Sequence, residues 1–476
     1  MSSSPPLLLL SLSFLLLLPF SAVSAPVTLQ LSRHPLPPHP DPLHRLASLA
    51  SASTLRASLL KNRHRHASPR SSRSPLFPHS YGGYSLTLAF GTPPQQIPLL
   101  LDTGSHVTWV PCTSSYQCRR CSSPSATPII PFLPKSSAST RLVGCRNPRC
   151  LWIHSPDLLH SRCPACNSTS ADGCPATACP PYAIIYGSGS TAGLLMLETL
   201  ALPGHTVPDF TVGCSVFSER QPAGIAGFGR GAPSLPSQLG LKRFSYCLIS
   251  RRYDDDAAES GSVVLDPAKE DSSDGLRFTT FLNNSAAGAD EGSPFSVYYY
   301  IGLREIAVGG KKVRVPHSAL VPSPSGDGGA IVDSGTTFTY MAPPVFEPVL
   351  AAFVERVADR YNRSADMEDR TGLRPCFVLP LDATEVDLPE LTFRFKGGAE
   401  MRLPLENYFV FAGPDRAAVC LTIVSDGNGA TSSDVAGGPA IILGNFQQQD
   451  YYMVFDLEKG RLGFRRQSCL RSQRTP

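Results

Sequence analysis

One pattern constrains this chain more than any other, because it occurs twice. Leu99-Leu100-Leu101-Asp102-Thr103-Gly104-Ser105 returns 231 positions later as Ala330-Ile331-Val332-Asp333-Ser334-Gly335-Thr336. Each copy is an apolar run of β type, followed by an Asp, a hydroxyl residue, a Gly and a second hydroxyl. The run reads as a buried strand, and the Gly makes a tight turn that leaves the carboxylate at the strand's end. Burying one Asp there is costly, so two copies in one chain suggest two carboxylates facing each other. Two carboxyls a few Å apart cannot both ionise. They share one proton, which leaves a base and an acid in the same site. Such a pair can activate a water and protonate a carbonyl oxygen, which is what peptide hydrolysis needs without a metal or a covalent intermediate. Asp102 and Asp333 are therefore the candidate catalytic residues, and no cofactor is called for.

The paired motifs resemble the catalytic loops of the pepsin-like aspartic proteases. The resemblance implies a mainly β, bilobal fold with the active-site cleft between the lobes and one loop from each. It implies that Thr103 and Ser334 cross-bond the loops, that Ser105 and Thr336 hydrogen-bond the outer carboxylate oxygens, and that Gly104 and Gly335 keep the loops tight. Tyr182-Ala183-Ile184-Ile185-Tyr186 followed by Gly187-Ser188-Gly189-Ser190 is a hairpin signature. It is similar to the family's flap, with Tyr186 placed to close over substrate and Trp109 placed to steady its hydroxyl through the indole N–H. The branch more often has Asp where Ser188 stands. Gly224-Ile225-Ala226-Gly227 and Ile441-Ile442-Leu443-Gly444 resemble the segments that pass beneath each catalytic loop, where Gly lets backbones cross closely. His106 follows the first loop and invites a Ser–His reading with Ser105. Adjacent residues on an extended strand point to opposite faces, so His106 is expected on the surface or cleft wall.

The 476 residues leave room for two lobes and a leader. The net charge of +4 is unevenly spread: residues 26–80 hold eight Arg or Lys against one Asp, and the remaining body is slightly acidic. No basic face supports a nucleic-acid partner. Residues 1–25 read as a secretory signal, with an apolar run too short for a comfortable membrane span and small residues after it. An uncleaved anchor is the alternative. Residues 26–80 are rich in Pro, Ser, His and Arg and are expected to build no core. Helical periodicity at Leu43, Leu46, Leu49, Leu55 and Leu59 would let part of this segment cover a surface, as a basic propeptide over an acidic cleft.

Nine of the fourteen cysteines fall within 112–179, a segment too poor in apolar periodicity to hold itself without cross-links. This insertion resembles the nepenthesin-type branch of plant aspartic proteases. An even cysteine count behind a secretory leader reads as seven disulfides. Cys118-x-x-Cys121 and Cys163-x-x-Cys166 have zinc spacing but lack companion histidines, so no metal is assigned. The resemblance implies Cys376–Cys420, Cys247–Cys469, Cys121–Cys214 and Cys112–Cys118. For the remaining six the expected wiring is Cys145–Cys179, Cys150–Cys174 and Cys163–Cys166. Asn167, Asn283 and Asn362 begin N-glycosylation sequons.

The first lobe is expected over 81–250, a junction over 251–262 and the second lobe over 263–476. Residues 343–361 carry the clearest helical stripe. The reading that follows is a secreted, acid-active endopeptidase, monomeric, acting on peptide or protein, without a stable membrane anchor, in the apoplast, cell wall or vacuole. The competing readings are a catalytically weak inhibitor or binding protein on the same fold, and a disulfide-held cell-wall component. The plant xylanase inhibitors resemble these proteases but have damaged motifs, whereas both Asp loops are intact here.

Overall fold

The computed structural model describes residues 26–33, 41–61, 82–121, 129–163, 177–186, 189–221, 223–250, 260–266, 275–282, 296–324, 326–380, 385–426 and 437–469. The signal segment, the sequons at Asn167 and Asn283, the flap-tip residues Gly187 and Ser188, and Cys166 and Cys174 lie outside these residues. The described chain is mainly β. One 15-stranded sheet holds the strands of the first lobe and continues into Arg277–Thr280, Tyr451–Asp456 and Arg461–Arg466 of the second, whose remaining strands form smaller sheets of five, four and three.

Both Asp loops arise from the same local construction. The hairpin Tyr84–Phe90 and Gln95–Asp102 opens the first lobe, and its second strand is half-exposed at the start and fully buried over its last four residues. Gly224–Gly227 lies parallel to it, pairing Leu99 with Gly224 and Asp102 with Gly227. In the second lobe Ile441–Leu443 lies parallel to Ala330–Val332 in the same way. A strand paired centrally and covered on both faces must be apolar throughout, which is why the runs before each Asp show no alternation. The helix Pro343–Val357 takes the predicted stripe, burying Val345, Phe346, Val349, Leu350, Phe353 and Val357.

The leader departs from expectation. Within 26–80, strand β1 (Val27–Arg33) inserts between Ser260–Leu265 and Tyr84–Phe90, and helix α1 (Pro42–Lys61) follows it. Leu29 and Leu31 from the strand and Leu43, Leu46, Leu49, Ala50, Ala57 and Leu60 from the helix are buried in the main core. The helix follows the periodicity read from Leu43 to Leu59; the strand and the contribution to the core were hidden, because a short alternating strand and a serine-rich helix need a partner to complete them. The α1 hydroxyls at Ser48, Ser53, Thr54 and Ser58 bond back to carbonyls one turn earlier, which lets polar residues sit in a docked helix. The expected junction is also shorter, since Ser260–Leu265 is a strand paired with β1 and with Arg243–Cys247.

Six disulfides join the described cysteines. Cys247–Cys469 and Cys376–Cys420 are formed, as the resemblance implied. The other five expected pairs are not. Cys112 bonds Cys214 rather than Cys118, because Trp109–Pro111 runs parallel to His205–Glu219 with Val110 opposite Cys214. Cys118 is carried along the same strand to sit opposite Ser218, and it closes locally with Cys121, so Cys121–Cys214 does not form. The helix Pro156–Arg162 returns the chain so that Cys163 meets Cys145, leaving Cys150 for Cys179. This excludes Cys145–Cys179, Cys150–Cys174 and Cys163–Cys166.

Opening the longest loop should cost most. In the chain-entropy picture Cys247–Cys469, spanning 222 positions, is worth about 5 kcal/mol, against about 2 kcal/mol for the three-position Cys118–Cys121 loop. Paired Cys→Ala variants compared by urea melts should rank in that order, and equal losses would show that native-state contacts dominate.

Candidate active site

The two loops meet across the lobes. The Thr103 N–H donates to Ser334 Oγ at 3.0 Å, and the Ser334 N–H donates to Thr103 Oγ1 at 2.9 Å. Each hydroxyl also donates onward, Thr103 to the Val332 carbonyl (3.2 Å) and Ser334 to the Leu101 carbonyl (2.9 Å). All four groups are buried, so the grip is reciprocal and satisfied. Asn445, which the sequence reading did not single out, ties its side-chain amide to the Ser334 carbonyl at 2.9 Å.

Asp102 and Asp333 are buried to 1% and 0% exposure. One oxygen of each accepts from the glycine N–H two residues on, Gly104 and Gly335, at 2.9 Å in both loops. These glycines are required by space. A Cβ on Gly104 would lie 2.6 Å from an Asp333 oxygen, and one on Gly335 would lie 2.5 Å from an Asp102 oxygen. The hydroxyls of the loops are not equivalent. Thr336 donates to Asp333 Oδ2 at 2.5 Å. Ser105 lies close enough to favour the charged form of Asp102, yet neither its Oγ nor Asp102 Oδ2 makes a hydrogen bond.

A cation from the leader sits on the pair. Arg56 of α1 donates through Nε to Asp333 Oδ2 (2.8 Å) and Thr336 Oγ1 (3.1 Å). Its Nη2 bridges Asp102 Oδ1 (2.7 Å) and Asp333 Oδ1 (3.1 Å). Burial works against the Arg56 charge, but the two carboxylates outweigh it and hold the guanidinium protonated. Burial pushes the Asp102 carboxyl above its ordinary range, with Arg56 opposing. Burial acts on Asp333 too, but the Arg56 charge and the bonds from Arg56, Thr336 and Gly335 overcome it and hold that carboxyl below the usual range.

Arg56 was absent from the sequence-derived site, although a signal existed. It lies three residues after Ser53 and four before Leu60, on the buried stripe of α1, and a cation on a buried stripe requires an acidic partner. The Trp109 Nε1–H donates to the Tyr186 hydroxyl at 2.8 Å, so the two aromatics come together as expected. His106 is half-buried beside Gly231, and the Ser105 hydroxyl has no hydrogen bond to it, so no Ser–His pair forms. Asn362 is exposed. The metal-like grouping among the described residues is Cys150, His154 and Cys179, but its cysteines form one disulfide and His154 Nε2 meets the Pro180 carbonyl.

A bilobal β fold that brings two Asp-hydroxyl-Gly-hydroxyl loops together defines the aspartic-protease class. The family descriptions "Xylanase inhibitor N-terminal" and "Xylanase inhibitor C-terminal" match residues 84–265 and 298–466. A probable aspartyl protease of Arabidopsis thaliana is 33% identical over 81% of this chain and 82% of its own. Aspartic proteinase nepenthesin-2 of Nepenthes gracilis is 31% identical over 82% and 78%. Basic 7S globulin from soybean has a similar fold, with a TM-score of 0.59 and 20% identity over 93% of this chain and 97% of that one. The chain belongs to the pepsin-like aspartic protease family, on its nepenthesin-like plant branch.

The grip is testable apart from any activity. Ser334→Ala leaves the Thr103 N–H buried without its acceptor, which should lower stability by about 1–3 kcal/mol. Urea unfolding of the full chain reads this, and a loss near zero would mean that a water replaces the hydroxyl.

Proposed function

We propose that this protein is an acid-active aspartic endopeptidase made as a precursor whose own leader blocks it. The observation that carries the reading is Arg56 set on an intact, cross-bonded pair of aspartates. With α1 gone, Asp102 and Asp333 lose their cation, and mutual repulsion keeps a proton on one of them. Asp333 retains the Thr336 and Gly335 donors and takes the base role. Asp102, with fewer bonds and a raised affinity for its proton, takes the acid role. A water between them attacks the peptide carbonyl as Asp333 accepts its proton and Asp102 protonates the carbonyl oxygen. Transfer of a proton to the amine then releases the two products. Tyr186, held by Trp109, closes over the substrate.

The reading extends to a secreted, glycosylated, monomeric enzyme with protein substrates outside the cell or in the vacuole. It is supported by relatives named as proteases and by disulfides that pair every described cysteine. No helix among the described residues is long and apolar enough to cross a membrane. The family descriptions also carry the name of an inhibitor, which favours a second reading as a protease-fold binding protein. Activity decides between them. Asp102→Asn and Asp333→Asn should each abolish peptide cleavage while the fold persists. Residual activity above about 1%, a barrier change of about 3 kcal/mol, would falsify the shared-proton mechanism. Absence of cleavage by the acid-treated wild type would favour the binding protein.

Release of α1 has a sign that can be worked out. Asp333 is held below the ordinary aspartate value of about 3.9, so its share of the clamp is present above that value and is lost as pH falls through its lowered pKa. Asp102 is raised by burial with Arg56 opposing, so when it takes up a proton its half of the ion pair with Arg56 is lost. Arg56 stays charged throughout. Binding of a statine-type inhibitor to the full chain should therefore appear only below about pH 4. In Arg56→Ala it should already be present at about pH 6, and equal profiles for the two proteins would remove Arg56 from the blockade.

A further inference from the structure

Helix α1 makes a further polar contact with the cleft, five residues after Arg56. Lys61 Nζ donates to the Tyr340 hydroxyl at 2.8 Å, reaches Asp426 Oδ2 at 3.4 Å, and lies 5.0 Å from the centre of the Tyr340 ring. Tyr340 donates in turn to Asp426 Oδ2 at 2.5 Å. The ring of Tyr340 is buried in the strand Thr339–Met341, which continues from the second Asp loop, whereas the Asp426 side chain is 31% exposed. Behind them the wall is built of apolar strand residues, with Phe338, Met341, Ile423 and Val424 all buried and Ile423–Val424 paired with Thr339–Tyr340. An anion braced by a phenol in such a wall is a recognition point for a long cationic side chain.

We infer that Asp426, positioned by Tyr340, is a specificity determinant that selects a Lys or Arg side chain of the substrate near the scissile bond. The inference rests on the protease reading for its occupant and deepens that reading. Five helical residues advance about 7.5 Å along the axis, and an extended peptide at about 3.3 Å per residue covers that distance in two to three residues. Arg56 marks where the scissile bond would lie, so the selected side chain belongs two to three residues from that bond. Lys61 occupies the place while α1 is docked. When α1 leaves, Asp426 keeps its phenol partner and loses its cation, and a substrate ammonium or guanidinium restores both the ion pair and the contact with the Tyr340 ring.

The test uses matched peptides with Lys or norleucine at each of the positions flanking the cleaved bond, on full-length Arg56→Ala, whose cleft is expected to be open already at about pH 6. Assays run at about pH 5, where ordinary carboxylates are charged. At one position Lys should exceed norleucine by about tenfold in kcat/KM, chiefly through KM. The ratio should fall to about one in Asp426→Asn and recover in part in Asp426→Glu. Binding of the same peptides to full-length Arg56→Ala, by calorimetry, reads the subsite without catalysis. Cleavage with no Lys preference at any position, or a preference unchanged in Asp426→Asn, overturns the inference and leaves the protease reading standing. No cleavage, with Lys-selective binding lost in Asp426→Asn, overturns the protease reading and keeps the subsite. Neither cleavage nor selective binding overturns both, and makes Lys61 a latch for α1 only.

Discussion

Two carboxylates buried side by side need a positive charge, a shared proton, or both, and the whole described architecture serves that requirement. Neither Asp102 nor Asp333 could be held in place by packing alone, because desolvation and mutual repulsion both drive charged carboxylates apart. The reciprocal Thr103–Ser334 bonds fix the spacing from behind, and the backbone N–H of each glycine fixes the orientation. In the docked state Arg56 supplies the charge. The parallel strands beneath each loop exist to present these few atoms at the interface between lobes.

The catalytic loops and the Pro343–Val357 helix were legible in the sequence, because each is written in local order: an apolar run ending in Asp, a stripe at helical spacing. The Tyr186–Trp109 bond was legible only through the family resemblance. The disulfides of the 112–179 segment were not, since a pairing depends on which strands lie side by side. Nothing local says that Val110 will stand opposite Cys214, and that one register decides the partners of Cys112, Cys118 and Cys121. Strand β1 was hidden for the same reason. Its residues from Val27 to Ser32 alternate in burial like an ordinary strand, but they sit in a stretch whose composition reads as linker. Arg56 was visible as a cation on a helical stripe and could not be placed without the partner 277 positions away.

The leader holds on through contacts of different kinds. β1 is bound by backbone hydrogen bonds and buried leucines, which are indifferent to moderate acid. The Arg56 and Lys61 contacts depend on carboxylate charge. The same fall in pH that weakens the helix therefore leaves the strand's ladder intact, and the two elements are joined through residues 34–40. Loss of α1 from the cleft does not require loss of β1 from the sheet, so unblocking and removal of the leader are physically separate events.

The blockade also depends on α1 being a helix. A substrate must lie extended to offer a peptide carbonyl between the two aspartates, whereas a helix keeps its carbonyls in its own ladder. In α1 the side-chain hydroxyls take a second bond to those carbonyls: Ser53 to Leu49 and Thr54 to Ala50, directly before Arg56. The Ser53 hydroxyl in turn accepts the Phe338 N–H at the foot of the second loop, at 3.0 Å, locking the helix to the wall. What the aspartates meet is thus a guanidinium with no bond to break, carried on a backbone that presents no carbonyl to attack. The leader can fill the cleft at full contact and still not be cut there.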